Sequence, residues 1–196
     1  MDFPSLWEQG LNIGEYIGQM EKFQKEMKSR LRDVWLTPSE CQHLRAIDQV
    51  RKIFVLSDSL CQDCLMNIPI LVKMADCAAK LEYRLFECSK FPDFCEYLIS
   101  QKMDRVPLFY ITDEHFQPVG YWMERPTGAH KMIESWEKGH PEYELLKSTQ
   151  AKNNAEMDLK LKGLKAAYLE EMWTWYDTGL QSETVKEVMV GLNLPG

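Results

Sequence analysis

The chain has 196 residues, 45% of them hydrophobic and 27% charged, with a net charge of −7. These proportions are ordinary for a globular protein and exclude a disordered or fibrous chain. The negative balance argues against a general nucleic-acid binder, which needs a basic face for the phosphates.

The opening MDFPSLWEQG has neither the basic nor the apolar region of a signal peptide, so none is expected. From Ile13, apolar residues recur at Ile17, Met20, Met27 and Leu31 with mostly helical spacing. A break at Thr37-Pro38 precedes a second helix, with Ser39 as its N-cap, running through Cys41, Leu44 and Ile47 towards Val50. Residues 1–50 therefore read as an N-terminal helical extension whose job is packing.

At residue 52 the texture changes. KIFVL (52–56) is a short continuous apolar run, as in a strand buried on both faces. A helix follows from about Cys61, with Leu65, Ile68, Leu71, Val72 and Ala75 as its apolar face. A strand at 83–86, a helix at 91–100, strands at 106–112 and 119–123, and a helix at 127–138 complete the pattern. Alternating β and α predicts parallel pairing with crossovers, and the short loop between the last two strands predicts an antiparallel pair at one edge. The expectation is an α/β fold: a mixed sheet of four or five strands over residues 51–140, with helices on both faces. Residues 141–196 read as a C-terminal helical extension. Met157, Leu161, Leu164, Tyr168, Met172 and Trp175 form its stripe, packed on the domain or, alternatively, on a second copy of the chain. No apolar run approaches the roughly 18–20 residues that cross a bilayer. We therefore expect a cytoplasmic protein with neither membrane nor nucleic-acid partners.

The chain has six cysteines. In a reducing compartment, paired cysteines point to catalysis, redox sensing or metal binding. Cys61-Gln62-Asp63-Cys64 sits where a buried strand ends and a helix begins. Unpaired N–H groups and the macrodipole at a helix start favour an anion, hence a thiolate at Cys61. Cys64 lies about one turn on, where its sulfur can reach that of Cys61. The expected division of labour is attack by Cys61 and resolution by Cys64. Pro69 falls inside the same helix, and Pro107, directly after Val106, opens the third strand as a candidate cis proline.

In these features the chain resembles the thioredoxin-like proteins. The matching segments are IFVLSDSLCQDCLMNIPIL and DRVPLFYITDEHFQPVGYW. The likeness extends to a bacterial subgroup, mostly uncharacterised, with an N-terminal helical extension and a Gly-x-Trp-x-x-Arg-Pro stretch, here Gly120 to Pro126. The resemblance implies a thiol–disulfide oxidoreductase with Cys61 as nucleophile, Cys64 as resolving thiol, and Val106-Pro107 presenting backbone to a substrate peptide. The substrate would be a disulfide-bonded protein or a small-molecule disulfide, and the electron donor is unidentified. No cofactor or metal is implied, since a dithiol stores two electrons itself. Where the family has a buried Asp, this chain has Val55, which leaves Asp58 and Asp63 as substitute proton carriers, with Gln62 between the cysteines. Asp63 also opposes the helix terminus, because a neighbouring carboxylate disfavours a thiolate.

Other readings stay open. The fold could serve as a redox-inert adaptor or a thiol-based sensor, and Cys61 and Cys64 could share a metal with Cys88 and Cys95, although the spacing of the latter two is wide for zinc. Cys41, Cys77, Cys88 and Cys95 are expected to be packing residues, with Cys88 as a candidate regulatory thiol. Arg125 is expected to hold the chain's exit from the edge strand, with contact to a substrate as the alternative.

Overall fold

The computed structural model describes residues 1–147 and 155–193. They form two compact units, one of residues 1–125 and 181–196, the other of residues 126–180.

The first unit is built on a four-stranded mixed sheet of order β2-β1-β3-β4, made by β1 (Arg51–Ser57), β2 (Leu81–Glu87), β3 (Leu108–Thr112) and β4 (Pro118–Met123). β1 pairs parallel with β2, from Arg51↔Leu81 to Ser57↔Glu87. It pairs antiparallel with β3, from Lys52↔Thr112 to Leu56↔Leu108, and β4 closes the edge as the antiparallel neighbour of β3. Because β1 is central and covered on both sides, Ile53, Phe54 and Val55 are all fully buried, which is why the strand reads as an unbroken apolar run. On one face Phe54 is the hub. Its ring meets Trp7 edge-on at 5.0 Å and Phe94 at 5.8 Å, and stacks on Phe86 at 5.6 Å. Trp7 comes from α1 (Phe3–Gln9) and Phe94 from α6 (Pro92–Ser100). Helix α5 (Gln62–Cys77) carries the cysteine pair at its start, and nearly all of its first eleven residues are buried.

The N-terminal extension departs from the two helices expected, because the segment before Thr37 is itself divided. It consists of α1, α2 (Ile13–Gln19), α3 (Gln24–Asp33) and α4 (Pro38–Arg45). Asn12 and Glu15 form a reciprocal capping box that starts α2 afresh, and Phe23 precedes α3 with a left-handed φ of 61°. Between α1 and α2, Leu11 and Leu85 exchange both backbone hydrogen bonds at 2.9 Å, so the extension covers the outer edge of β2 with a single antiparallel bridge. The chain there runs so close to β2 that a Cβ on Gly10 would collide with Arg84 and Phe86. The N-cap of α4 is Thr37, not Ser39. Proline has no N–H to lose at the first helical position, and Glu40 stands at the third, where it completes a capping box with Thr37.

The helix beside α5 and β4 is α10 (Gln181–Gly191). Its C-terminal end meets β4 where Gly120 and Gly191 face each other, with no room for a Cβ on Gly120. Trp122 Nε1 donates to Glu187 Oε2 at 2.8 Å, and Arg51 Nε donates to the Leu192 carbonyl at 3.0 Å.

The second unit holds α7 (Thr127–Gly139), α8 (Pro141–Lys147), α9 (Ala155–Trp175) and a kinked segment, Tyr176–Leu180, in which Gly179 leaves helical geometry. Trp136 is its centre, 4.8 Å from the Tyr168 ring and 5.0 Å from that of Tyr143. Of the expected C-terminal stripe, Leu161, Tyr168 and Met172 are buried. Among the described residues no helix is long and apolar enough to cross a membrane.

Candidate redox site

The site starts from the junction between β1 and α5. Asp58 Oδ1 accepts the Leu60 N–H at 2.7 Å, and the Asp58 carbonyl accepts the Cys61 N–H at 3.0 Å. This turn, local to Asp58, delivers Cys61 as the N-cap of α5. The Cys61 Sγ accepts the N–H of Cys64 at 3.4 Å, the place a Ser or Asp oxygen fills in an ordinary cap. Cys61 is half-buried, Cys64 is fully buried, and both are free thiols. Gln62 opens the helix and is half-buried.

Across the site, the Cys61 thiol donates to the Val106 carbonyl at 3.6 Å. Val106 is half-buried, Pro107 is buried, and the bond between them is cis. The structure therefore brings together Cys61, Cys64 and the Val106-Pro107 turn, which lie forty-five residues apart along the chain.

The two thiols are pushed in opposite directions. The Cys64 side chain hydrogen-bonds to the Cys61 sulfur and, with the Cys64 and Asp63 N–H groups, lowers its pKa against burial and the nearby Asp63 carboxylate. Burial pushes Cys64 up, and its hydrogen bond to Cys61 adds to the rise.

Asp63 is 8% exposed. Burial raises its carboxyl to about 6, with Arg125 pulling it down and Glu124 pushing it up. Arg125 Nη2 lies 2.6 Å from Asp63 Oδ2 and 3.0 Å from Glu124 Oε1. Asp63 Oδ1 is buried without a hydrogen-bond partner among the described residues.

Three residues at the site carry no readable motif. Asn67, fully buried, donates from Nδ2 to the Asp63 carbonyl at 3.0 Å and the Glu124 carbonyl at 3.4 Å. Thr184 of α10 donates its hydroxyl to Asn67 Oδ1 at 2.9 Å. Tyr16 of α2 is 1% exposed, and its buried hydroxyl has no hydrogen-bond partner among the described residues. Burial first, and then the charge of Cys64, raises its pKa, against the nearby Ser57 side chain, which lowers it without completing a hydrogen bond. Only the pairing of a polar atom with complete burial marks these residues, and burial is invisible before the chain is folded.

The other four cysteines are paired, contrary to the expectation that they only pack. Cys41 of α4 is joined to Cys77 at the end of α5, and Cys88 to Cys95 across the turn from β2 into α6. The Cα atoms stand 5.3 and 5.7 Å apart, within the ordinary span of a disulfide. Among the described residues, no group of three or more His, Cys, Asp or Glu is arranged to hold a metal ion.

A mixed sheet with a helix-capping cysteine pair facing a cis-proline turn defines a thioredoxin-like protein. The thioredoxin family profile matches residues 10–137, and the chain belongs to that family. Among solved structures, a protein of unknown function from Pseudomonas aeruginosa superposes with a TM-score of 0.61 at 18% identity, covering 71% of this chain and 89% of its own. An HIV epitope-scaffold superposes with a TM-score of 0.66 at 15% identity over the whole of both chains. At these identities the likeness is one of fold. No curated protein matches the chain.

Proposed function

We propose that the protein is a thiol–disulfide oxidoreductase working through Cys61 and Cys64. The observation that carries this reading is the position of the Cys61 sulfur. It caps α5, lies 3.6 Å from the Val106 carbonyl, and has a fully buried thiol one turn behind it.

The Cys61 thiolate attacks one sulfur of a substrate disulfide. A Cys61–substrate disulfide forms, the substrate S–S bond breaks, and the departing thiolate takes a proton from water. The substrate backbone lies along Val106-Pro107. Cys64 then gives up its proton, for which Asp63 is the carboxylate one residue away and Asp58 supports the loop. Its thiolate attacks the Cys61 sulfur, releasing the second substrate thiol and leaving a Cys61–Cys64 disulfide. Two electrons pass to the substrate, and an external dithiol, or two monothiols, restores the Cys61–Cys64 dithiol by exchange and leaves as its own disulfide. The substrate is a disulfide-bonded protein or a small disulfide.

The test is reduction of insulin, and of a low-molecular-weight disulfide, by dithiothreitol. The native protein should accelerate both, and Cys61→Ser should leave both at the uncatalysed rate. Native protein that also leaves both at that rate would instead make the fold a binding module.

A further inference from the structure

Outside the Cys61–Cys64 pair, the chain holds two more cysteine couples, and they differ in kind. Cys41–Cys77 closes a separation of 36 residues and ties one helix to another. Cys88–Cys95 closes only 7, and a short loop yields the least as a staple, because the entropy removed from the unfolded chain grows with loop length.

The position of Cys88 points elsewhere. Its N–H donates to the Ser57 carbonyl at 3.1 Å, and the preceding Glu87 accepts the Ser59 N–H at 3.2 Å. The segment carrying Cys88 is thus pinned to the one that ends at Cys61. The two form the walls of a cleft of about 180 Å³, with Ser57, Asp58, Ser59 and Leu60 on one side and Glu87 and Cys88 on the other. The couples also share a design. Cys61 and Cys88 are half-buried, whereas Cys64 and Cys95 are 1% and 7% exposed. In each couple the half-buried residue lies at or beside the surface, Cys88 lining the cleft, and its partner is buried.

We propose that Cys88–Cys95 is a second dithiol–disulfide couple that passes electrons to Cys61–Cys64 within one chain. This rests on the oxidoreductase reading above. With Cys61–Cys64 oxidised and the second couple reduced, the Cys88 thiolate attacks the Cys61 sulfur. The Cys61–Cys64 bond breaks, a Cys61–Cys88 disulfide forms, and Cys64 leaves as a thiolate that takes up a proton. Cys95, deprotonated in turn, attacks the Cys88 sulfur. The Cys88–Cys95 bond forms and Cys61 is released as a thiolate. Two electrons move from one couple to the other, and two external thiols of the glutathione class reload Cys88–Cys95 through the cleft, one forming a mixed disulfide with Cys88 and the second releasing it as their own disulfide.

Trapping the intermediate tests this. The double variant Cys64→Ser/Cys95→Ser is treated with oxidised glutathione, blocked with N-ethylmaleimide and digested without reductant. A Cys61–Cys88 linked peptide from monomeric protein should be the dominant product. Glutathione adducts or chain-to-chain disulfides alone would overturn the proposal. So would an equal yield of Cys61–Cys95 in Cys64→Ser/Cys88→Ser, since the buried sulfur would then be as reachable as Cys88. In the native chain, fully reduced and given one equivalent of oxidised glutathione, a disulfide should appear first at Cys61–Cys64. It should then move to Cys88–Cys95 at a rate independent of protein concentration, and a concentration-dependent transfer, or none, also overturns the relay. Neither readout uses a protein substrate, so failure of the insulin assay is distinguishable from failure of the relay.

Discussion

Asp63 sits one residue from Cys64, and its ionisation ties stability to pH. In the unfolded chain this carboxyl titrates near its ordinary value of 3.8, and in the folded protein burial raises it to about 6. Between those values the native state holds a proton that the unfolded state has lost. The stabilisation from this group is therefore complete below about pH 4 and is lost as pH rises through about 6, a change of about 3 kcal/mol. Asp63→Asn removes the dependence. Urea unfolding of both proteins from pH 4.5 to 7.5 should show the stability difference, native minus variant, falling as pH rises, and a flat difference would refute it. Tyr16 makes a second case. Its buried hydroxyl makes no full hydrogen bond among the described residues, and an unsatisfied buried hydroxyl costs roughly 1–3 kcal/mol. Tyr16→Phe should therefore leave stability unchanged or raise it by about 1 kcal/mol, read as a higher urea midpoint at constant slope. A loss above 1 kcal/mol would mean that the hydroxyl is satisfied in solution.

Among the elements, those with a strong local signal were legible in sequence. The run of residues 52–56 became a central strand, buried from Ile53 onward, because both faces of β1 are covered. Cys61 could be placed at a helix start because the apolar run stops at Ser57-Asp58-Ser59. The N-terminal segment misleads for a physical reason. Ile13, Ile17, Met20 and Met27 keep helical spacing across a real break, and that break is set by the left-handed Phe23, a conformation that nothing about a phenylalanine announces. The polar chain from Thr184 through Asn67 to the Asp63 carbonyl was equally unreadable, since it joins residues 117 positions apart. It links α10 to the first turns of α5, behind the cysteine pair. Thr184→Val removes a buried hydrogen bond while keeping the shape. It should cost about 1–2 kcal/mol in urea unfolding, whereas the same change at exposed Thr178 of the second unit should stay within about 0.5 kcal/mol.

For the whole molecule, the question is which residues the thioredoxin-like unit needs in order to fold. The family match ends at residue 137, yet the first unit is completed by residues after 180. The chain leaves that unit after Arg125 and rejoins it at Gln181, so the stretch that divides it has its own aromatic centre at Trp136. Sequence periodicity cannot reveal this arrangement, because an amphipathic helix shows that it packs but not on what. α10 and the residue after it bury Val185, Val188 and Leu192, at 3%, 0% and 0% exposure. Each such side chain contributes roughly 1.5–3 kcal/mol, and three together rival the whole stability of an ordinary domain, about 5–15 kcal/mol. Removing residues 181–196 would also strip Trp122 of Glu187, Arg51 of the Leu192 carbonyl and Asn67 of Thr184. A chain ending at Leu180 should therefore lose cooperative urea unfolding and the near-ultraviolet circular dichroism of its packed aromatics, even though the matched residues and every cysteine remain. A truncated chain that unfolds with the native midpoint would show that the thioredoxin-like core stands without this helix.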